Sequence, residues 1–307
     1  MLCGGSTNGQ EYRVTTRFAR TWAVLAAGTA LTVALTACGG SSADDGSVSI
    51  VASTNVWGSI AEAVAGPDAE VTALISDPAA DPHSYEVSPA QTAKLSDADL
   101  VVFNGGHYDE FVEKAVGGKD KRTVEAFELR TDKGDENEHV WYDVTTVAAV
   151  ADRIAAQLGE IDAAHAAGYS ERATAFKNRL AGITAVTGRI AAERPGAPVA
   201  QTEPIAHYLL QAAKATDRTP HAFQEAVEQE TDPAPAAVAA TRDLLTGKQV
   251  RALVYNVQTE DKISKDLRAV AQSAGIPVVE VTETLPEGMD YVQWQTSNAD
   301  ALATALK

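Results

Sequence analysis

Short apolar runs rich in β-branched residues alternate with stretches of helical periodicity along most of this chain. Strands are predicted at residues 48–52, 70–75, 100–103, 199–201, 250–255 and 277–281. Helices are predicted at 57–65, 88–96, 144–158 and 262–274. Such alternation implies parallel sheets covered by helices, with ligands gathered at the carboxyl ends of the strands. One stretch breaks the pattern: residues 164–193 are rich in alanine and charge, with no strand and no proline before Pro195. A helix of this length, ~42 Å at 1.5 Å per residue, is as long as a domain is wide and is expected to join two α/β lobes. The alternative is a long surface helix on a single lobe. No internal repeat is evident.

The amino-terminal segment follows another rule. Arg13, Arg17 and Arg20 precede an apolar stretch from Trp22 to Leu35, which is too short to cross a bilayer, and Leu35-Thr36-Ala37-Cys38 closes it. This ending resembles a bacterial lipobox. Residues 1–37 are therefore expected to be a lipoprotein signal peptide, with Cys38 lipidated and residues 38–47 a flexible polar tether. The rest is expected to comprise an amino-terminal lobe (48–163), the connecting helix (164–194) and a carboxyl-terminal lobe (195–307). The protein would then sit on the outer face of the cytoplasmic membrane, held by its lipid.

Charge narrows the class of partner. Of 42 acids and 25 bases, the leader removes Glu11 and three arginines, leaving 41 acids against 22 bases and a net charge of −19. Such a surface repels nucleic acid and favours cations. The two cysteines, Cys3 and Cys38, fall in the leader and at the anchor. No thiol is left for a disulfide, a zinc finger or a nucleophile, so a metal site must use nitrogen and oxygen.

Candidate donors lie at strand ends and in loops. Asp81-Pro82-His83-Ser84-Tyr85-Glu86 follows a strand and precedes a helix opened by Ser88-Pro89, a cap and first-turn pair that would fix His83. His139, in Glu138-His139-Val140-Trp141-Tyr142-Asp143, lies just before another helix. Glu203, in Thr202-Glu203-Pro204, follows a short strand and opens a helix, and Glu283 ends the last strand. Taken singly, each histidine reads more readily as a hydrogen-bonding surface or core residue than as a ligand, and each carboxylate as a cap. Together, two in each lobe, they can converge on the crevice, where two neutral imidazoles and two carboxylates would match a divalent ion. His107, after Asn104-Gly105-Gly106, reads as a solvent-facing loop residue. His207 reads as a neighbour on the helix after Glu203. Glu225, Glu228 and Glu230, before Asp232-Pro233, read as a solvated face and a helix cap.

These motifs, the long helix and the lipobox together resemble the metal-binding solute-binding lipoproteins of ABC importers, solute-binding protein family 9, across residues 48–307. The resemblance implies an α/β fold of two lobes, each with a mainly parallel sheet flanked by helices, joined by one long rigid helix. It implies that His83, His139, Glu203 and Glu283 hold the transported ion, with Asn137-Glu138 replacing the Asp-Pro that usually precedes the second histidine. It further implies an ABC permease and its ATPase as partners, a monomer, and no catalytic residue. The short acidic segment 131–138 stands where many zinc members carry a His-rich loop. Two carboxylate ligands suit Mn²⁺, whereas the Irving–Williams order favours Zn²⁺, so the balance tips slightly to manganese. The competing class is an extracytoplasmic metallohydrolase with a similar donor set. His-Glu-x-x-His, Gly-x-Ser-x-Gly, P-loop and Gly-x-Gly-x-x-Gly signatures are all absent.

Overall fold

The computed structural model describes residues 47–307 except 78, 79, 81, 118–120 and 230. The leader, Cys38, nearly all of the tether, Asp81 and Glu230 lie outside the described residues. The first part of the chain runs β1 (Val48–Thr54), α1 (Asn55–Ala65), β2 (Ala69–Ile75), α2 (Pro89–Asp97), β3 (Leu100–Phe103), α3 (Glu110–Val116), β4 (Thr123–Glu125) and α4 (Val144–Ile161). α5 (Ala166–Glu193) follows. The second part runs β5 (Pro198–Gln201), α6 (His207–Ala212), β6 (Thr216–Asp217), α7 (His221–Glu228), α8 (Pro235–Thr246), β7 (Ala252–Asn256), α9 (Lys262–Ala274), β8 (Val278–Val281) and α10 (Tyr291–Ala305).

The strands form two four-stranded sheets, ordered β2-β1-β3-β4 and β6-β5-β7-β8, and every pairing is parallel. Ile50 of β1 stands between Val71 and Leu100, and Val254 of β7 between Gln201 and Val279. β3 and β7 are buried along their whole lengths, which is why they read as continuous apolar runs without alternation. Every strand and helix expected from the sequence is present, with ends shifted by a few residues. The elements not assigned from the sequence are the edge strands β4 and β6, only three and two residues long, and the helices α3, α7, α8 and α10, while α6 is the helix expected after Glu203. Two of these helices, α3 and α7, are too short for a periodicity to register. In α10 the buried face includes Gln295 and Asn298 among apolar residues, which hides its stripe.

The 28-residue helix α5 forms as its alanines and unbranched charged residues dictate. It buries one stripe: Tyr169, Ala173, Phe176, Leu180, Ile183, Val186, Thr187 and Ile190. The three- and four-residue spacing keeps this stripe on one face, against α1, α4, α6 and α10. Near one end Arg172 donates to the carbonyls of Val64 (2.8 Å) and Ala65 (2.8 Å) and pairs with Asp68. Past the other end Arg194 donates to the carbonyls of Leu306 (3.2 Å) and Lys307 (3.1 Å). α5 is therefore braced to both parts of the chain. One apolar cluster follows it, running from Ile50 and Trp57 through Phe176 to Val254 and Trp294, so both sheets share a core.

Phe176 lies at the middle of that seam, its ring 6.0 Å from the Tyr291 ring. Phe176→Ala should cost about 3–5 kcal/mol, the usual range for a buried aromatic truncated to alanine. Urea unfolding in the presence of chelator measures it.

Candidate metal centre

Two loops of the first part carry the imidazoles. Ser88 caps α2 by accepting from the Gln91 amide, and Gln91 Oε1 accepts in return from the Ser88 amide at 2.9 Å. Tyr85 ties the same loop to the Leu74 carbonyl and packs on Phe111. His83 is held between these anchors, its ring 23% exposed. His139 is buried, at 1%. The Asn137 side-chain oxygen accepts from the His139 amide (3.1 Å) and lies 3.3 Å from His139 Nδ1. Asn137 in turn donates to the Pro204 carbonyl, and its own carbonyl accepts from Tyr208. Because an amide oxygen only accepts, the proton of the neutral ring resides on Nδ1 and the lone pair on Nε2. Burial, the nearby His83 and then His207 hold the His139 pKa well below its ordinary value, keeping it neutral.

The second part supplies carboxylates. Glu203 follows β5 and precedes a single 3₁₀ turn, Pro204–Ala206; α6 begins only at His207, later than the sequence suggests. One Glu203 oxygen accepts from Asn256 Nδ2 and the other from Thr259 Oγ1 at 2.8 Å. Glu283, buried at 2%, has its amide held by the Gln258 side-chain oxygen (2.5 Å), and its Oε1 accepts from the same Asn256 Nδ2 at 2.8 Å. A single asparagine at the end of β7 thus joins both glutamates.

Glu283 meets the first part directly, while Glu203 is tied to Glu283 through Asn256. Glu283 Oε2 lies 3.8 Å from His83 Nε2 and accepts from the Tyr108 hydroxyl at 3.1 Å. The Tyr108 ring stands edge-on to His83, 4.9 Å between centroids, and stacks near Trp141 at 4.6 Å. Burial, then Glu283, keeps this phenol protonated by raising its pKa well above 10, so it remains a donor. Tyr108 is placed by the turn before it: Gly105 and Gly106 adopt φ of 74° and 66°, and buried Asp109 accepts from the Asn104 and Gly105 amides at 2.7 and 2.8 Å. A side chain at Gly105 would collide with Glu125.

Donor atoms of His83, Glu138 and His139 all lie within 4.8 Å of one another. Glu138 Oε1 is 3.5 Å from His83 Nδ1, and Glu228 Oε1 is 3.7 Å from His139 Nε2. Glu138 and Glu228 share a hydrogen bond, and both carboxyls are held well above the usual range. The first cause is burial in each case; the next is repulsion from neighbouring carboxylates, Glu283 for Glu138 and Glu138 for Glu228. Glu228 corrects the reading of the 225–230 segment as a solvated face: α7 ends beside the site, and its last residue turns inward while Glu225 remains outside against His221. Asp232 does not cap α8 either, since Ala234 occupies that position without a side-chain bond.

The other histidines stand apart. His107 is exposed beside Glu110, and His207 Nε2 faces Asp135 at 2.7 Å. Sequence reasoning missed Tyr108, Asn256, Glu138 and Glu228 as members of this neighbourhood. A tyrosine four residues beyond a strand-end asparagine, and an asparagine closing a buried strand, were the available signals for the first two.

Residues 50–305 match the family model described as ZnuA, the zinc-uptake complex component A, periplasmic. The chain belongs to this family. The metal ABC transporter substrate-binding lipoprotein ScbA of Streptococcus cristatus is 24% identical over 302 residues, 89% of this chain and 95% of that protein. The manganese-binding lipoprotein MntA of Bacillus subtilis (strain 168) is 30% identical over 162 residues, 48% of this chain and 53% of its own length. Among solved structures, the periplasmic zinc-binding protein TroA from Treponema pallidum superposes with a TM-score of 0.72 at 18% identity, over 85% of this chain and 99% of that one. The laminin-binding protein Lmb of Streptococcus agalactiae gives 0.72 at 22% identity, over 85% and 100%. These likenesses establish the two-lobed fold. The family is a transport component and not an enzyme, and the metallohydrolase alternative finds no support.

The shifted groups set opposite pH dependences for the metal-free protein. Glu138 and Glu228 keep protons in the native state that the unfolded chain gives up above its ordinary 4.5, so their contribution is lost as pH rises from there. His139, with a lowered value, contributes stability above 6.5 that is lost as pH falls below it. From pH 6.5 to about 8 only the carboxylates act, and stability should fall. Urea unfolding at these two pH values checks this, and the Glu138→Gln/Glu228→Gln double variant should show a flatter profile.

Proposed function

We propose that this protein is the extracytoplasmic receptor of an ABC importer, capturing a divalent transition ion, Mn²⁺ or Zn²⁺, between its lobes and passing it to the permease and its ATPase. Family membership over residues 50–305 supports the transport role. The observation that carries the site is the approach of each imidazole Nε2 to a carboxylate of the second part, His83 to Glu283 and His139 to Glu228, at 3.8 and 3.7 Å. His83 and His139 from the amino-terminal lobe (48–163) and Glu203 and Glu283 from the carboxyl-terminal lobe (195–307) are the proposed ligands, with 164–194 as the connecting segment. Donors bound at about 2.0–2.2 Å to one ion lie about 3.0–3.5 Å apart, so these two pairs need only small side-chain movement to close on it. Cys38 is the proposed lipid attachment point and residues 38–47 the tether, with the protein acting as a monomer. Among the described residues no helix is long and apolar enough to cross a membrane.

An ion that binds only the native state adds about 2.7 kcal/mol at a free concentration 100 times its dissociation constant. Thermal unfolding of chelated, dialysed protein should therefore rise clearly on adding Mn²⁺ or Zn²⁺; no shift with either would overturn the receptor reading. His139→Ala should abolish most of that shift, whereas His107→Ala should preserve it. Affinity measured by competition with a chelating dye should follow the same order.

A further inference from the structure

Glu228 occupies a position that the four-ligand site does not use. It is the last residue of α7, and its side chain is 22% exposed. It lies on a groove of about 760 Å³ bounded also by Glu138, Asn137, His207, His221 and Pro204. Glu138 lines the same groove and is 14% exposed, while His139, Glu203 and Glu283 are buried behind it. An ion entering this groove therefore finds Glu138 and Glu228 on its wall.

Ring chemistry separates the roles of these two glutamates. His139, a buried residue, turns Nδ1 to the Asn137 oxygen, so its Nε2 presents a lone pair, and Glu228 Oε1 faces that nitrogen at 3.7 Å. That spacing is wider than a hydrogen bond, and a proton in the metal-free protein or a cation in the loaded one can lie between the lone pair and the oxygen. Glu138, by contrast, faces Nδ1 of His83, the nitrogen opposite the one beside Glu283. That is the place of a group that orients a metal-bound imidazole.

We propose that Glu228 is a direct oxygen ligand of the captured ion, a fifth donor delivered by α7 through the groove, with Glu138 positioning both it and His83. This rests on the receptor reading above. A fifth donor, the third oxygen of the set, raises the coordination number beyond the tetrahedral four that Zn²⁺ prefers and biases the site toward Mn²⁺.

The test is titration of Mn²⁺ and Zn²⁺ into the chelated protein as wild type, Glu228→Gln and Glu225→Gln, together with the visible spectrum of the Co²⁺-loaded forms. Circular dichroism and Glu228→Asp guard against misfolding. Glu228→Gln should weaken Mn²⁺ at least about 10-fold and Zn²⁺ much less, and its Co²⁺ bands should intensify as the coordination number falls. Glu228→Asp should retain part of the Mn²⁺ preference, and Glu225→Gln should match wild type. Equal losses for both ions with an unchanged Co²⁺ spectrum would reduce Glu228 to a structural role and overturn the proposal. Wild-type affinities in Glu228→Gln would overturn it while leaving the receptor reading intact. Failure of the wild type to bind either ion would remove both.

Discussion

Carboxylates forced together out of water are the constraint around which the crevice is organised. Glu138, Glu228 and Glu283 repel one another, and burial prevents solvent from screening them. The fold tolerates this by two means. Asn256, Thr259 and Tyr108 place donors on Glu203 and Glu283, and Glu138 and Glu228 keep a proton between them. A divalent cation relieves the repulsion more completely than either, because it contributes two positive charges directly among the carboxylates. The electrostatic disadvantage of the metal-free state is thus part of the driving force for capture.

The scaffold that holds this arrangement is rigid where it counts. α5 is anchored by Arg172 to the end of α1 and by Arg194 to the end of the chain, and the apolar cluster continues through both sheets. Separating the two parts would expose the Phe176 and Tyr291 rings and break the Tyr142–Thr282 and Tyr291–Trp141 hydrogen bonds. Wide hinge opening is disfavoured by that loss of burial. The eight-residue α7 borders the groove beside Glu138, and its last residue reaches the site.

Much of the architecture was legible because its signals are local. β1, β3 and β7 announce themselves as apolar runs, and the long helix shows in its alanine content and its lack of proline. His83, His139, Glu203 and Glu283 could be singled out because each stands beside a strand end or helix start. What was not legible depends on neighbours distant in sequence. Glu228 lies in an acidic segment that resembles any solvated helix face, and only the path of α7 turns it inward. Asn256 looks like an ordinary strand terminus until Glu203 and Glu283, 53 residues before it and 27 after it, are brought to its amide. Tyr108 carries no motif; its hydroxyl reaches Glu283, 175 residues away.

The two sheets share one strand order, yet the walls they present to the crevice differ. The first contributes the rings of His83 and His139 together with Glu138; the second contributes Glu203 and Glu283 on loops following β5 and β8. Equal topology with unlike side chains makes the walls chemically distinct: these imidazoles come from the first wall alone. Were His83, His139, Glu203 and Glu283 to hold the ion as proposed, its nitrogen donors would all come from the first half, and the softness of that wall could change by substitution without rebuilding the other.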